Sequence, residues 1–71
     1  MVSCTMYDRE QDYAEFYADT ASELNKLPNL RDNGKDELQY MNKVSAGSLC
    51  LTQAGEAFTL TGNNTWEPFG N

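Results

Sequence analysis

The amino-acid sequence predicts a mainly β fold: a small antiparallel sheet with a C-terminal three-stranded meander over about residues 48–69, an N-terminal hairpin and one short helix near 21–27. Apolar and polar residues alternate with a period of two in the last third of the chain, as they do in strands with one buried face. Glycine and asparagine separate the alternating runs, and a proline follows the short helical segment. A chain of 71 residues is expected to form one small domain, 1–71.

The first predicted element is an N-terminal hairpin. Residues 13–18, with the sequence YAEFYA, are rich in aromatic side chains, which favour strands. The segment 3–7 can pair with them across a turn formed by residues 8–12. The same region also places apolar residues at helical spacing, so one helix from about residue 10 to 27 is the alternative.

A capping box argues for a short helix that begins near Ala21. Thr20 is followed three residues later by Glu23, the pairing that caps a helix N-terminus. A capping box has no purpose inside a helix, so it favours the hairpin and short helix over one long helix. Pro28 ends the short helix because proline cannot donate the next backbone hydrogen bond. These elements make up residues 1–28.

Residues 29–46 form a polar connection between the two halves. Its sequence DNGK, at 32–35, is a strong turn signal, and the stretch is too long for a tight turn. Apolar residues in such a loop gain little unless something covers them. The apolar residues of the connection are Leu30, Leu38, Tyr40, Met41 and Val44.

The C-terminal part, residues 47–71, is predicted to form the meander. The runs 48–52 and 56–61 alternate, and a last short strand ends at Pro68, which cannot donate to a ladder. The alternation predicts that the large apolar side chains of these strands share one buried cluster. The members of this predicted core are Leu49, Leu51, Phe58, Leu60 and Trp66.

Composition argues against several classes of function. Eleven acidic side chains against five basic ones give a formal net charge of −6, and such a surface repels a phosphate backbone, so we expect no nucleic-acid partner. No stretch approaches the roughly 18 apolar residues of a membrane span, so we expect no membrane partner. The N-terminus lacks the basic and apolar regions of a signal peptide, which predicts synthesis in the cytoplasm.

The sequence offers no catalytic, metal or cofactor site. It contains no histidine, and its two cysteines cannot supply the four ligands of a structural zinc ion. Asp8, Glu10, Asp12 and Glu15 form an acidic cluster, but the glycine and distal glutamate of a calcium-binding EF-hand are missing, so we interpret it as a solvated turn. We therefore expect a protein that is not an enzyme and binds no cofactor.

The chain is small enough for its stability to depend on more than its own core. A domain of this size buries only about 60% of the surface that its unfolded chain exposes. Cys4 and Cys50 are expected to stay reduced in a reducing compartment. Contacts with other subunits are then the expected source of extra stability.

The order of short motifs resembles a group of small proteins encoded among the structural genes of tailed bacteriophages. In that group, Asp-Thr and Leu-Pro elements precede Gly-Ser, a strand, a turn, a strand with an aromatic residue, a break and a late tryptophan. The matching positions are Asp19-Thr20, Leu27-Pro28, Gly47-Ser48, Phe58, Gly62 and Trp66. The resemblance covers most of the chain and implies a location in the virion, as a head decoration protein, a head fibre or a tail-associated module.

The main functional hypothesis is a non-enzymatic viral structural protein that docks on capsid or tail proteins, as a homo-oligomer or as part of a symmetric assembly. Tyrosine is enriched at protein interfaces, and the chain has four tyrosines. The residues predicted at the interface are Tyr13, Phe16, Tyr17, Leu38, Tyr40 and Met41. The net charge also suits a small cytosolic regulator that occupies a basic site on a host protein. A weaker alternative is a carbohydrate-binding adhesin that uses Trp66 and exposed tyrosines.

Overall fold

The computed structural model describes residues 1–31 and 41–69. Within these ranges, five strands form one mixed sheet whose strand order follows the chain, and the helical element is a short 3-10 helix. The strands are β1 Val2–Asp8, β2 Tyr13–Ala18, β3 Leu49–Thr52, β4 Ala57–Leu60 and β5 Trp66–Pro68, and the 3-10 helix is Ala21–Lys26. The predicted mainly β fold is confirmed.

The N-terminal hairpin forms as predicted. Strands β1 and β2 pair in antiparallel fashion, with a bulge between Cys4 and Met6. Asp12 adopts a positive φ of 56° in the turn, a backbone conformation that aspartate tolerates better than most residues. Its carbonyl oxygen accepts a hydrogen bond from the Ser45 N–H at 2.8 Å, which ties the turn to the segment before β3. The alternative of one helix over residues 10–27 is wrong.

The helix predicted near 21–27 is the 3-10 helix Ala21–Lys26. The Glu23 carboxylate accepts hydrogen bonds from the backbone N–H groups of Asp19 and Thr20, at 3.0 and 3.3 Å. Glutamate at this position therefore caps the helix start, as the sequence indicated. Six residues bounded by a cap and a nearby proline leave no room for a longer helix, and 3-10 geometry is common in such short pieces.

The C-terminal meander is also confirmed, because β3 pairs with β4 and β4 with β5, both in antiparallel fashion. The junction of the two halves differs from the prediction. Strands β2 and β3 are parallel, with Glu15 opposite Leu49 and Ala18 opposite Thr52, so the sheet is mixed and not antiparallel. A parallel pair needs a crossover of a dozen or more residues, and the long connection between β2 and β3 satisfies that requirement.

The hydrophobic core lies on one face of the sheet, which we call the inner face. Its buried apolar residues are Val2, Ala14, Phe16, Ala18, Leu27, Met41, Val44, Cys50, Phe58 and Leu60. Met41 and Val44 belong to the connection that the sequence suggested was polar and irregular. They cover the inner face together with residues that follow the 3-10 helix, so part of the connection serves as the second layer of the fold.

Two side chain to backbone hydrogen bonds attach this second layer to the meander. The Trp66 indole N–H donates to the Pro28 carbonyl oxygen at 3.2 Å, and the Leu30 N–H donates to Asn64 Oδ1 at 2.7 Å. The Trp66 ring also packs edge-on against Phe16, with centroids 5.9 Å apart and planes at 81°. Trp66 therefore closes the end of the inner face.

Cys4 and Cys50 are free thiols, as predicted. Both lie in register with Phe16 on the strand between them, so two strand spacings, about 10 Å, separate their Cα atoms. A disulfide needs Cα atoms within about 7 Å, and the sheet would have to open to form one. Burial raises the pKa of the Cys50 thiol to about 11, which keeps it protonated near neutral pH.

Candidate docking surface

The sheet has a second face, which we call the outer face. The described residues outside the strands that pack on the sheet, among them Leu27, Met41 and Val44, join the cluster on the inner face. The side chains that alternate with the core residues therefore point away from this cover. From β1 to β5 they are Ser3, Met6, Asp8, Tyr13, Glu15, Tyr17, Leu49, Leu51, Ala57, Thr59 and Glu67.

One row of outer-face side chains is largely apolar and runs across three strands. Tyr17, Leu51 and Ala57 lie in register on β2, β3 and β4. Phe69 continues the row because its N–H donates to the Ala57 carbonyl oxygen at 2.9 Å, directly after β5. Leu51 and Phe69 are 55% and 58% exposed. We call these four residues the apolar row.

A neighbouring row carries two carboxylates. Glu15, Leu49, Thr59 and Glu67 lie in register on β2 to β5, and Met6 of β1 stands opposite Glu15. Three strand spacings, roughly 14 Å, separate the two glutamates. We call this set the acidic row, and it borders the apolar row along its length.

Glu15 is held in place by a neighbour on the same face. The Tyr13 hydroxyl donates a hydrogen bond to Glu15 Oε2 at 2.8 Å. Partial burial and, next, this hydrogen bond raise the pKa of the Tyr13 phenol, so it stays neutral and continues to donate. A carboxylate held in one position loses less rotamer freedom when it meets a partner.

The charge on the strands has one sign. The acidic strand residues are Asp8, Glu15 and Glu67, and all three belong to the outer face. No strand residue in the described ranges is lysine or arginine. The described basic residues lie in the hairpin turn, the 3-10 helix and the connection, at Arg9, Lys26, Arg31 and Lys43. The outer face is therefore both apolar and negatively charged.

The predicted interface residues divide between the two faces. Tyr13 and Tyr17 lie on the outer face and are half-buried. Phe16 and Met41 are 2% and 1% exposed in the core, so their assignment to an interface is wrong. Phe16 occupies an inner position of β2, and Met41 joins the same core cluster from the connection. Leu38 and Tyr40 lie outside the described residues.

The predicted core cluster is correct for its C-terminal members and wrong for two leucines. Phe58 and Leu60 are buried, and Trp66 packs against the core. Leu49 is half-buried and Leu51 exposed, because both belong to the outer face of β3. The inner positions of β3 carry small side chains instead, from Cys50 and Thr52, and the small side chain of Ser48 is buried directly before the strand.

Met6 and Phe69 were not predicted as exposed apolar residues, and Leu51 was predicted on the wrong face. The available signal was the alternation in β3, which sorts its residues into two sets. Alternation does not say which set is buried, because that depends on the neighbouring strands.

Two kinds of feature that can mark a binding site are absent from the described residues. Residues 1–31 and 41–69 contain no group of three or more metal-ligating side chains, and every buried side-chain nitrogen or oxygen among them has a hydrogen-bond partner. None of the described helices has the length and apolar character to cross a bilayer. Comparisons with protein-family models, with curated proteins and with solved structures gave no match.

Proposed function

We propose that this chain is a non-enzymatic structural module of a tailed-bacteriophage particle, which docks on a capsid or tail protein through the outer face of its sheet. The observation that carries the proposal is the apolar row, where Leu51 and Phe69 stand more than half exposed on a sheet whose other face is covered. Exposed apolar patches with a polar border mark interaction sites. The resemblance to small virion proteins supports the choice of partner.

Burial of the apolar row supplies the driving force. Fully burying a leucine or phenylalanine side chain is worth about 1.5–3 kcal/mol relative to leaving it exposed. Strands β2 to β4 hold Tyr17, Leu51 and Ala57 in place before any partner arrives, so these residues lose little backbone freedom on docking.

The size of the face indicates how the module is used. The described domain measures 28 by 23 Å in its two longest directions, so one flat face offers at most roughly 600 Å², below the roughly 800 Å² per partner of a standard interface. Contacts between neighbouring copies on a shell would add to this area. We therefore propose a place in a symmetric assembly, where docking and lateral contacts act together.

The geometry of Trp66 speaks against the adhesin alternative. Its N–H donates to the Pro28 carbonyl oxygen and its ring packs on Phe16. Both the N–H and the ring of Trp66 thus make contacts within the fold, which supports a structural role for this residue.

Location is the first test of the proposal. Particles of the phage that encodes the chain are purified on a density gradient and analysed by quantitative mass spectrometry. The expected result is that the chain is present at a regular copy number relative to the major capsid or tail protein. Its absence from washed particles, together with a stable complex with a soluble host protein, would favour the regulator alternative.

A pair of matched variants tests the docking surface. Leu51→Asp places a charge in the apolar row, whereas Asn25→Asp adds the same charge to an exposed position on the 3-10 helix. Both sites are exposed, so both variants are expected to fold with melting temperatures close to that of the wild type. In co-sedimentation with particles that lack the chain, the Leu51→Asp variant should fail to bind, whereas the Asn25→Asp variant should bind like the wild type. Equal retention of the two variants would contradict docking through the outer face.

A further inference from the structure

We infer that the partner surface is basic as well as apolar: a protein patch in which lysine or arginine side chains flank an apolar ridge. This inference rests on the proposed docking function and adds the chemistry of the partner. The strands present three carboxylates and no basic residue, and the carboxylates all lie on the outer face. A surface that meets the apolar row must therefore also meet the acidic row beside it.

The arrangement of the two rows determines where the partner's charges lie. Leu51 lies two residues along β3 from Leu49, and Glu15 and Glu67 lie on either side of Leu49 in its own row. A ridge that covers Leu51 and continues along β3 over Leu49 thus passes between two negative positions roughly 14 Å apart. Cations at these positions would complement the face and suppress binding of acidic competitors.

The Glu15 carboxylate is already oriented for an ion pair with a basic side chain of the partner. Tyr13 donates to one oxygen of its carboxylate and orients it on the face. An ionised carboxylate has about four lone-pair sites on two oxygens, so a guanidinium or ammonium can bind without displacing the tyrosine. Hydrogen bonds between ions are stronger than neutral ones, and an oriented acceptor loses less entropy when it binds.

The same charges argue against a second copy of this chain as the occupant. In a two-fold dimer the same patch meets itself, so two outer faces would bring the acidic rows of both copies into one desolvated contact. Like charges at the centre of an interface are unfavourable. Copies that assemble on a particle would therefore meet through other surfaces and keep their outer faces on the partner.

The experiment measures how charge and salt affect docking on particles that lack the chain. Glu15→Gln and Glu67→Gln each remove one negative charge from the outer face. Glu10→Gln removes the same charge from the hairpin turn and is the matched control. Binding is measured by co-sedimentation at 50 mM and at about 500 mM NaCl, where the Debye length is shorter.

At low salt we expect each outer-face variant to lose roughly two- to fivefold in affinity, and Glu10→Gln to bind like the wild type. At high salt the difference between the wild type and the outer-face variants should shrink. Melting curves of all variants verify that they fold alike. Light scattering of the wild type and of Leu51→Asp verifies that the wild type does not self-associate through position 51.

The outcomes separate the inference from the function on which it rests. If Leu51→Asp abolishes docking while Glu15→Gln and Glu67→Gln bind as well as the wild type, the docking function stands and the basic partner is refuted. If the wild type self-associates and Leu51→Asp prevents this, the occupant is a second copy and the inference fails. If the wild type does not bind particles at all, both proposals fall.

Discussion

Strands β3 and β4 are antiparallel neighbours, both alternate large apolar residues with small or polar ones, and yet they turn opposite sets inward. In β4 the large residues Phe58 and Leu60 face the core. In β3 the large residues Leu49 and Leu51 face outward. Alternation therefore identifies the two faces of a strand, and the neighbouring strands determine which of them is buried.

Packing across the inner face explains the difference. One row in register runs Cys4, Phe16, Cys50, Phe58 and Pro68, so each aromatic ring has a smaller side chain beside it. Protein interiors are as densely packed as organic crystals. A leucine at position 50 would stand between two phenylalanine rings. The small residues of β3 therefore belong inside, and its leucines are left for the outer face.

The largest expected effect is on the free energy of unfolding, and it directly tests which face of β3 and of β4 is buried. Phe58→Ala removes a buried ring and should lower the free energy of unfolding by about 3–5 kcal/mol. Leu51→Ala, from the outer face of the neighbouring strand, should change it by no more than about 0.5 kcal/mol. Urea denaturation followed by tryptophan fluorescence measures both. Similar losses for the two variants would contradict the assignment of faces.

Exchanging sizes in β3 tests the packing explanation. Cys50→Leu inserts extra methylene groups between Phe16 and Phe58 and should destabilise the fold by about 1–3 kcal/mol, although leucine is the more apolar residue. Leu51→Cys makes the reverse exchange on the exposed face and serves as the control. A more stable Cys50→Leu protein would show that the row has spare room and that packing does not determine the face.

The buried serine that directly precedes β3 gives a test of similar size. Ser48 is buried, its Oγ accepts a hydrogen bond from the Ala14 N–H at 3.2 Å and donates to the Ser45 carbonyl oxygen at 2.8 Å. Ser48→Ala leaves the Ala14 N–H without its partner, which should cost about 1–3 kcal/mol. Faster hydrogen exchange of the Ala14 amide would locate the defect. Ser3→Ala, at an exposed position of β1, should be neutral.

The smallest expected effect concerns the open end of the N-terminal hairpin, where Met1 contacts Glu23, and it depends on pH. The Met1 amino group forms hydrogen bonds with the carboxylates of Glu23 and Asp19. The contact with the amino group lowers the pKa of Glu23 and raises the pKa of the Met1 amine. The stabilisation that ionised Glu23 contributes to the fold is fully present above its ordinary pKa of 4.5. It is lost as pH falls through the lowered pKa of Glu23 in the folded protein. The stabilisation that the protonated Met1 amine contributes to the fold is fully present below its ordinary pKa of 8.0. It is lost as pH rises through the raised pKa of this amine in the folded protein.

The contact between Met1 and Glu23 should therefore stabilise the fold most between about pH 4.5 and pH 8. The melting temperature of Glu23→Gln is expected to fall below that of the wild type within this window and to approach it on either side. Glu10→Gln, in the hairpin turn, should follow the wild-type profile. A constant difference between Glu23→Gln and wild type across the pH range would assign the effect to the helix cap alone.

Much of the local structure was predictable because it depends on neighbouring residues. The aromatic run 13–18 forms a strand, Glu23 caps the helix, and glycine and asparagine occupy the turns of the meander. Each of these features follows from the preferences of a few consecutive residues.

A smaller part of the candidate docking surface was predictable from the sequence. Tyr13 and Tyr17 were expected at a surface and lie on the outer face. Leu51 was assigned to the core, because burial of the leucines was the simpler interpretation of the alternation. Met41 was assigned to an interface, because its role in covering the inner face depends on strands far away in the sequence.

The sequence alone determined where the strands, the turns and the short helix lie, since local propensity and period-two alternation act within each segment. Only the tertiary structure decided that β2 and β3 run parallel, that Met41 and Val44 complete the core, and that β3 turns its leucines outward. Parallel pairing depends on the path of a long crossover, and the buried face of β3 depends on the rings that Phe16 and Phe58 contribute from the strands on either side. The candidate docking surface carries Leu49 and Leu51 because close packing favours small side chains at the inner positions of β3.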